Sequence, residues 1–291
     1  MARIAIIGGG SMGEALLAGL LRAGRQVKDL VVAERYPERA KYLSETHGVR
    51  VTTVLDAAEH ATYVIVAVKP ADVEEVIGEI AAAAAKAEAD SAEQVFITVA
   101  AGVTTAFFES KLPAGSPVLR AMPNAPALVG AGVTALSAGR FATEEQLKRA
   151  AELFDAVGGV LTVPESQLDA VTAVSGSGPA YFLLMVEALV DAAVASGLSR
   201  PVATELASQT MAGTAAMLLE RIDEGRTSAA EAAAGVTVDT TAAQLRALIT
   251  SPGGTTAAGL RELERGGLRA AVSEAVYAAR ERSSQLGITS E

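Results

Sequence analysis

Arg3-Ile4-Ala5-Ile6-Ile7-Gly8-Gly9-Gly10-Ser11-Met12-Gly13 is the stretch on which the fold turns. Residues 3–7 are short, apolar and rich in β-branched side chains, the pattern of a strand buried on both faces of a parallel sheet. Gly8, Gly10 and Gly13 then satisfy G-x-G-x-x-G, and 14–22 read as a helix closed by Ala23-Gly24. The glycine motif alone is a weak signal. Between a strand and a helix the three glycines serve separate ends, namely a tight turn, close approach to a pyrophosphate, and helix–strand packing. The bland alternative is a Gly-rich turn with no ligand.

Outward from this unit the same grammar repeats. Leu30-Val31-Val32-Ala33 is a second strand, ending at Glu34. An acidic residue there takes a ribose 2′-hydroxyl and favours NAD. Arg35 follows, with Arg39 one turn into a helix begun by Pro37, and guanidinium groups there can hold a 2′-phosphate. The pair tips the expectation to NADP(H), with NAD(H) as the alternative. Residues 63–68 form a third apolar strand that delivers Ala67, Val68, Lys69 and Pro70 to its carboxyl end, where open α/β sheets bind ligands. A solvated lysine before a helix proline is the plain reading of Lys69.

Residues 95–99 read as another strand, running into Ala100-Ala101-Gly102-Val103, small enough for a flat ring to approach the backbone. Pro117-Val118-Leu119-Arg120 leads to an irregular turn, 121–126, where Asn124 either hydrogen-bonds a ligand or shapes the turn. Residues 81–94 are an Ala/acid stretch of helix and loop without a site. Late strands at 132–136 and 159–163 flank a helix at 144–157, and Pro164-Glu165 marks a boundary. The reading is therefore an α/β Rossmann-type dinucleotide-binding domain, 1–164, followed by an all-α domain, 165–291.

In that second part apolar residues recur at helical spacing through 180–195, 202–219 and 268–282. Ser177-Gly178-Pro179 and Ser199-Arg200-Pro201 each place a cap residue before a helix proline. Helices this apolar and alanine-rich need a partner, and a second copy of the chain is the simplest. Near the end, Thr250-Ser251-Pro252-Gly253-Gly254-Thr255-Thr256-Ala257-Ala258 is a turn running into a helix. Unpaired N–H groups and the positive end of the helix dipole suit a carboxylate or phosphate there, and the two threonines add hydroxyls.

Composition prunes the chemistry. The 291 residues are 50% hydrophobic and carry 24 basic against 34 acidic side chains, a net charge of −10. That surface argues against nucleic acid and anionic membranes. There is no cysteine, which removes disulfides, thiolate nucleophiles and Cys-bound zinc. The two histidines, His47 and His60, stand in surface-like stretches, against a triad or a His-rich metal site. No signal peptide is read at the start, and the apolar helix 179–197 carries Glu187 and Asp191, so a cytoplasmic protein without a membrane span is expected.

At this point the chain resembles the pyrroline-5-carboxylate reductase family. The resemblance rests on Gly8–Gly13, Ala67-Val68-Lys69-Pro70, Ala100-Ala101-Gly102-Val103, Met122-Pro123-Asn124, the run from Asp169 to Tyr181 with its Ser175-Gly176-Ser177-Gly178-Pro179 core, and Ser251-Pro252-Gly253-Gly254-Thr255-Thr256. These stand in the family's order along nearly the whole chain. Ala71 departs from the glutamine the family often has. The Ala/Thr-rich stretch 225–243 does not match, so nothing is carried over from it, Asp239 included.

The resemblance implies reduction of the C=N bond of 1-pyrroline-5-carboxylate to L-proline by NAD(P)H, in a homodimer that can assemble further. It implies that Gly8, Gly10, Ser11, Met12 and Gly13 hold the pyrophosphate, with Glu34 and Arg35 at the ribose and Lys69, Pro70, Ala100 and Asn124 along the cofactor. The N–H groups of Gly253, Gly254 and Thr255, beside Ser251, would hold the substrate carboxylate. Thr256 would meet the imine nitrogen, and Ser175, Gly176 and Ser177 would wall the nicotinamide side. For Thr256 the bland reading is a hydroxyl bonded to its own helix backbone. Two rivals are a β-hydroxyacid dehydrogenase, disfavoured because 181–195 contains no lysine, and a non-catalytic dinucleotide sensor, which has no need of a second anion loop.

Overall fold

The structure is a computed structural model that describes residues 3–59, 61–86, 94–229 and 241–287. His60, residues 87–93 of the Ala/acid stretch, and residues 230–240 with Asp239 lie outside the described residues. Contacts divide the chain into two compact units, Met1–Pro179 with Val276–Glu291, and Ala180–Ala275.

The first unit is built on one sheet: β1 (Ile4–Ile7), β2 (Leu30–Ala33), β3 (Arg50–Thr52), β4 (Tyr63–Val66), β5 (Val95–Thr98), β6 (Val118–Met122), β7 (Gly132–Ala138) and β8 (Gly158–Thr162). Their order is β3-β2-β1-β4-β5-β6-β7-β8. Pairing is parallel from β3 through to β6, β7 runs antiparallel to β6, and β8 is parallel to β7. The chain reverses its direction of winding between β1 and β4, and such a switch point opens a crevice at the strands' carboxyl ends.

Helices α1 (Ser11–Arg22), α2 (Pro37–His47), α3 (Val54–Ala58), α4 (Val73–Lys86), α5 (Thr105–Lys111) and α6 (Glu144–Phe154) cover the sheet. Alternate residues of β1 serve opposite cores. Ile4 and Ile6 pack with Leu16, Leu20 and Phe154, while Ala5 and Ile7 pack with Ile77, Phe107 and Phe108. Burial on both faces is why these strands read as unbroken apolar runs. Local chemistry starts the helices: Thr53 and Thr104 accept from the N–H groups three residues on, and Thr143 and Gln146 form a reciprocal capping box.

Beyond β8 the described chain is helical: α7 (Leu168–Val171), a π turn (Thr172–Gly176), α8 (Gly178–Ala195), α9 (Arg200–Ala229), α10 (Thr241–Leu248), α11 (Thr255–Arg265) and α12 (Leu268–Gln285). This is the Rossmann-type α/β part followed by helices that the sequence foresees. Three details differ from expectation. β3 has no apolar run and is made a strand by pairing with Val31–Ala33. Ala121 and Met122, read as turn, extend β6 by pairing with Leu136 and Ala135. Ser177 is not a cap: its backbone is right-handed helical, and the chain passes through it from the π turn into α8.

The second unit leaves much apolar surface uncovered. Phe182, Leu183, Leu184, Leu189, Leu219 and Leu248 are all more than half exposed, whereas Val190 and Ala203 are buried. One stretch, 165–195, is long and apolar enough by length and composition to cross a membrane.

Candidate functional site

The glycine turn is assembled by contact, not by sequence pattern alone. Gly8 has φ +103°, and a Cβ there would sit 2.8 Å from the Ala67 carbonyl oxygen. A Cβ at Gly13 would sit 1.9 Å from the Gly8 carbonyl oxygen, so only glycine lets α1 pack onto β1. At Gly10 a Cβ would meet nothing within 4 Å. That position is left open on the ligand side, where a pyrophosphate would approach the unpaired first N–H groups of α1. Gly10 precedes α1 with extended backbone and no side chain caps the helix.

A cleft of about 770 Å³ opens beside this turn, lined among others by Gly8, Gly10, Glu34, Arg35, Val68 and Lys69. It lies at the carboxyl ends of β1, β2 and β4. The Glu34 carboxylate accepts from the Gly9 N–H (Oε2, 2.9 Å) and the Tyr36 N–H (Oε1, 2.9 Å). It therefore clamps the glycine turn as well as lining the cleft. Arg35 is exposed, pairs with Asp72 at 3.1 Å and lies over the Tyr36 ring at 5.0 Å. The Tyr36 hydroxyl and Asp72 carboxylate push its pKa up further, so it stays charged.

Arg39 lines the same cleft. Its Nε donates to the Gly9 carbonyl at 2.7 Å and its guanidinium pairs with Glu14, which also meets His47 Nε2 at 3.1 Å. Arg39 is thus tied to the glycine turn while it lines the cleft. Burial pushes the Glu14 carboxyl up, but hydrogen bonds from His47 and Arg39 and the Arg39 charge outweigh it and hold the group below the usual carboxylate range. His47, read as a surface residue, is a partner in this brace; the signal that would have found it is its distance from Glu14 in space, which spacing in sequence does not carry.

Lys69 is exposed and precedes the short turn Pro70–Asp72. Ala100 is 4% exposed. Gly102 abuts Leu286, whose carbonyl would lie 3.0 Å from a Cβ, so at that point the small-residue stretch serves internal packing.

A second cleft of about 410 Å³ is lined by Ser11, Met12, Asn124, Thr172, Gly176 and Ser177, with Met122 and Leu128 among the remainder. The α1 N-terminus and the π turn thus share one cavity. The Ser175 hydroxyl donates to the Val171 carbonyl at 3.0 Å, inside its own helix. Asn124 is buried, with both ends of its amide engaged by the protein. The ion pair of buried Arg120 with Glu165, at 3.3 Å, was not foreseen; Glu165 also accepts from the Thr105 N–H at 2.8 Å and hydroxyl at 2.6 Å.

In the second unit residues 250–254 form a turn that enters α11. Gly253 has φ +71°, and Gly254 caps α11 with extended backbone and no side-chain bond. The Gly254 N–H donates to the Ser251 carbonyl at 3.0 Å, so that one of the three N–H groups expected to face a carboxylate closes the turn instead. Among the described residues, those of Gly253 and Thr255 take no backbone acceptor. The hydroxyl of Thr250 donates back to the Arg246 carbonyl at 2.6 Å, whereas Thr255 and Thr256 are exposed and make no such back-bond to their own helix. No group of metal-ligating side chains occurs among the described residues.

Residues 165–286 match the family model for pyrroline-5-carboxylate reductase dimerisation, and residues 3–102 match one described as NADP oxidoreductase, coenzyme F420-dependent. The pyrroline-5-carboxylate reductase of Mycobacterium tuberculosis is 72% identical over 291 residues, covering 100% of this chain and 99% of the relative. That of Corynebacterium melassecola is 40% identical over 288 residues, 99% of each chain. Among solved structures, the pyrroline-5-carboxylate reductase of Coxiella burnetii superimposes with a TM-score of 0.86 at 34% identity, over 99% of both chains. The Plasmodium falciparum enzyme, described with NADP bound, gives 0.79 at 27% identity over 99% of this chain and 98% of that one. With identity this high over full length, in both the sheet and the helices, the chain belongs to the pyrroline-5-carboxylate reductase family.

Proposed function

We propose that this chain reduces the C=N bond of 1-pyrroline-5-carboxylate to L-proline, the last step of proline biosynthesis, with NADPH preferred over NADH. The observation that carries the reading is full-length identity of 72% to the Mycobacterium tuberculosis reductase. An open Gly10 beside unpaired helix N–H groups supports a dinucleotide in the first cleft. When bound, that cofactor supplies the hydride. The chain's own residues bind, orient and hold protons. Gly8, Gly10, Ser11, Met12 and Gly13 surround the pyrophosphate, Arg35 neutralises the 2′-phosphate, and Lys69 and Ala100 lie along the cofactor. Gly253 and Thr255 donate backbone N–H groups to the substrate carboxylate, within the turn closed by Ser251 and Gly254. The Thr256 hydroxyl hydrogen-bonds the ring nitrogen of the substrate taken up as its N-protonated iminium, so hydride addition at the carbon completes the amine and no further proton is transferred. Because an iminium is already electrophilic, positioning and electrostatics suffice, and no histidine or cysteine is needed.

The functional domains divide at 164/165, where the match to the dimerisation model begins. The exposed apolar faces of α8 and α9 are covered by a second copy of the chain rather than by lipid, dimers assemble further, and the enzyme works in the cytoplasm. Steady-state kinetics with both reduced cofactors test the function. Turnover of 1-pyrroline-5-carboxylate with a lower KM for NADPH is expected. Cofactor binding without turnover would make the protein a dinucleotide sensor, and oxidation of a 3-hydroxyacid would make it a dehydrogenase.

A further inference from the structure

Pro179 stands four residues beyond Ser175 in a continuous helical run. Lacking an N–H, it cannot close the helical bond to the Ser175 carbonyl. That carbonyl is satisfied from elsewhere: Nδ2 of Asn124, at the end of β6, donates to it at 3.1 Å. The other end of the same amide is also used, because the Val133 N–H of β7 donates to Asn124 Oδ1 at 2.9 Å. Just ahead of the proline the helix widens into its π turn, closed by the Ser177 N–H donating to the Thr172 carbonyl at 2.9 Å. Single π turns within helices recur at functional sites. Here Gly176 and Ser177 of the turn face the cleft they share with Ser11 and Met12 at the N-terminus of α1.

We propose that Asn124 is a positioning residue: it supplies the hydrogen bond that Pro179 withholds and so fixes the Ser175–Ser177 wall against the cofactor end of α1. This rests on the imine-reductase reading. It replaces a direct ligand contact for Asn124 with action through Ser175. An amide suits the post because it accepts and donates at once; an ionised aspartate accepts from Val133 but has no proton for the Ser175 carbonyl.

Three proteins test this: Asn124→Asp, Pro179→Ala and the double variant. Asn124→Asp should lower kcat on the order of 10²-fold, the effect of a small misplacement of a wall, with the NADPH Kd from fluorescence titration unchanged. Pro179→Ala restores a backbone N–H to Ser175; alone it keeps kcat near wild type, and in the double variant it recovers most of the loss. Asn124→Ala, which removes the donor to Ser175 and the acceptor for Val133 without adding charge, serves if the aspartate variant does not fold: Pro179→Ala should restore its Ser177 protection while Val133 stays fast. A double variant no better than the single one, or a rise in NADPH Kd matching the loss in kcat, overturns the proposal. Amide hydrogen exchange gives a readout that needs no turnover: Ser177 should exchange faster in Asn124→Asp, recover with Pro179→Ala, and Val133 should stay protected. Unchanged Ser177 exchange overturns the proposal even in an active enzyme, whereas wild-type inactivity toward the imine acid would instead remove the functional reading.

Discussion

Replacing Glu165 by alanine should destabilise the sheet unit by about 3–5 kcal/mol, the cost of stranding one member of a buried ion pair. The structure sets that magnitude. The Arg120 side chain is 6% exposed, and its guanidinium reaches Glu165 at 3.3 Å. At that separation the bare attraction is ~5 kcal/mol for an effective dielectric of 20, most of it offset in the intact protein by desolvation. Without Glu165 the desolvation of Arg120 remains and the attraction is gone. One guanidinium nitrogen, Nη2, is already buried without a partner, so little local polarity is left to absorb the charge. Thr105, 4% exposed, loses the acceptor of both its N–H and its hydroxyl. The assay is urea unfolding followed by far-UV circular dichroism at one fixed protein concentration, since assembly adds its own stability. Adding Arg120→Met to Glu165→Ala should recover part of the loss, because the stranded charge is removed with its partner. A loss below about 1 kcal/mol for Glu165→Ala, the range of an exposed pair, or a double variant no more stable than the single, would refute the reasoning.

Three further outcomes are expected. Thr256→Ala should lower kcat/KM by the worth of one transition-state hydrogen bond, about 1–3 kcal/mol, with NADPH affinity unchanged; near-wild-type kcat/KM removes Thr256 from the chemistry. Gly10→Ala should fold with an unaltered melting temperature yet bind NADPH more weakly, whereas Gly13→Ala, with its Cβ driven onto the Gly8 carbonyl, should lose stability; equal behaviour of the two in thermal melts and NADPH titration sinks the distinction. Because the native Glu14 carboxyl is held below its ordinary value, its contribution is complete above the usual carboxylate range and is lost as pH falls through the lowered native value. Melting temperature against pH should therefore drop less steeply at the acid end in Glu14→Gln than in the wild type, and parallel curves would contradict it.

Most strands were legible because burial on both faces leaves an unbroken apolar run that spacing alone reveals. β3 was not, since a three-residue edge strand beginning with exposed Arg50 has no pattern of its own and exists through its pairing with β2. The turn into α11 was legible from Pro, Gly and Thr in a row, which constrain the backbone locally. That the Gly254 N–H is spent on Ser251 was not, because the turn's closure depends on its folded geometry. Arg35 and Arg39 looked equivalent in sequence. Both line the cleft, but the fold separates them by their partners, pairing Arg35 with Asp72 and binding Arg39 to Gly9 and Glu14.

What the sequence determined by itself was local: the strand–glycine–helix turn, the run of apolar strands, a second half of helices too apolar to stand alone, and the exclusion of cysteine and triad chemistry. These follow from steric and hydrophobic rules that act over a few residues. What only the tertiary structure decided was which polar groups satisfy one another across the fold. Glu34 clamps Gly9, Glu165 holds Arg120, and Asn124 completes the helix that Pro179 interrupts. Buried donors and acceptors must be paired, and the partner is chosen by distance in space, to which separations of 25, 45 and 51 residues along the chain are indifferent.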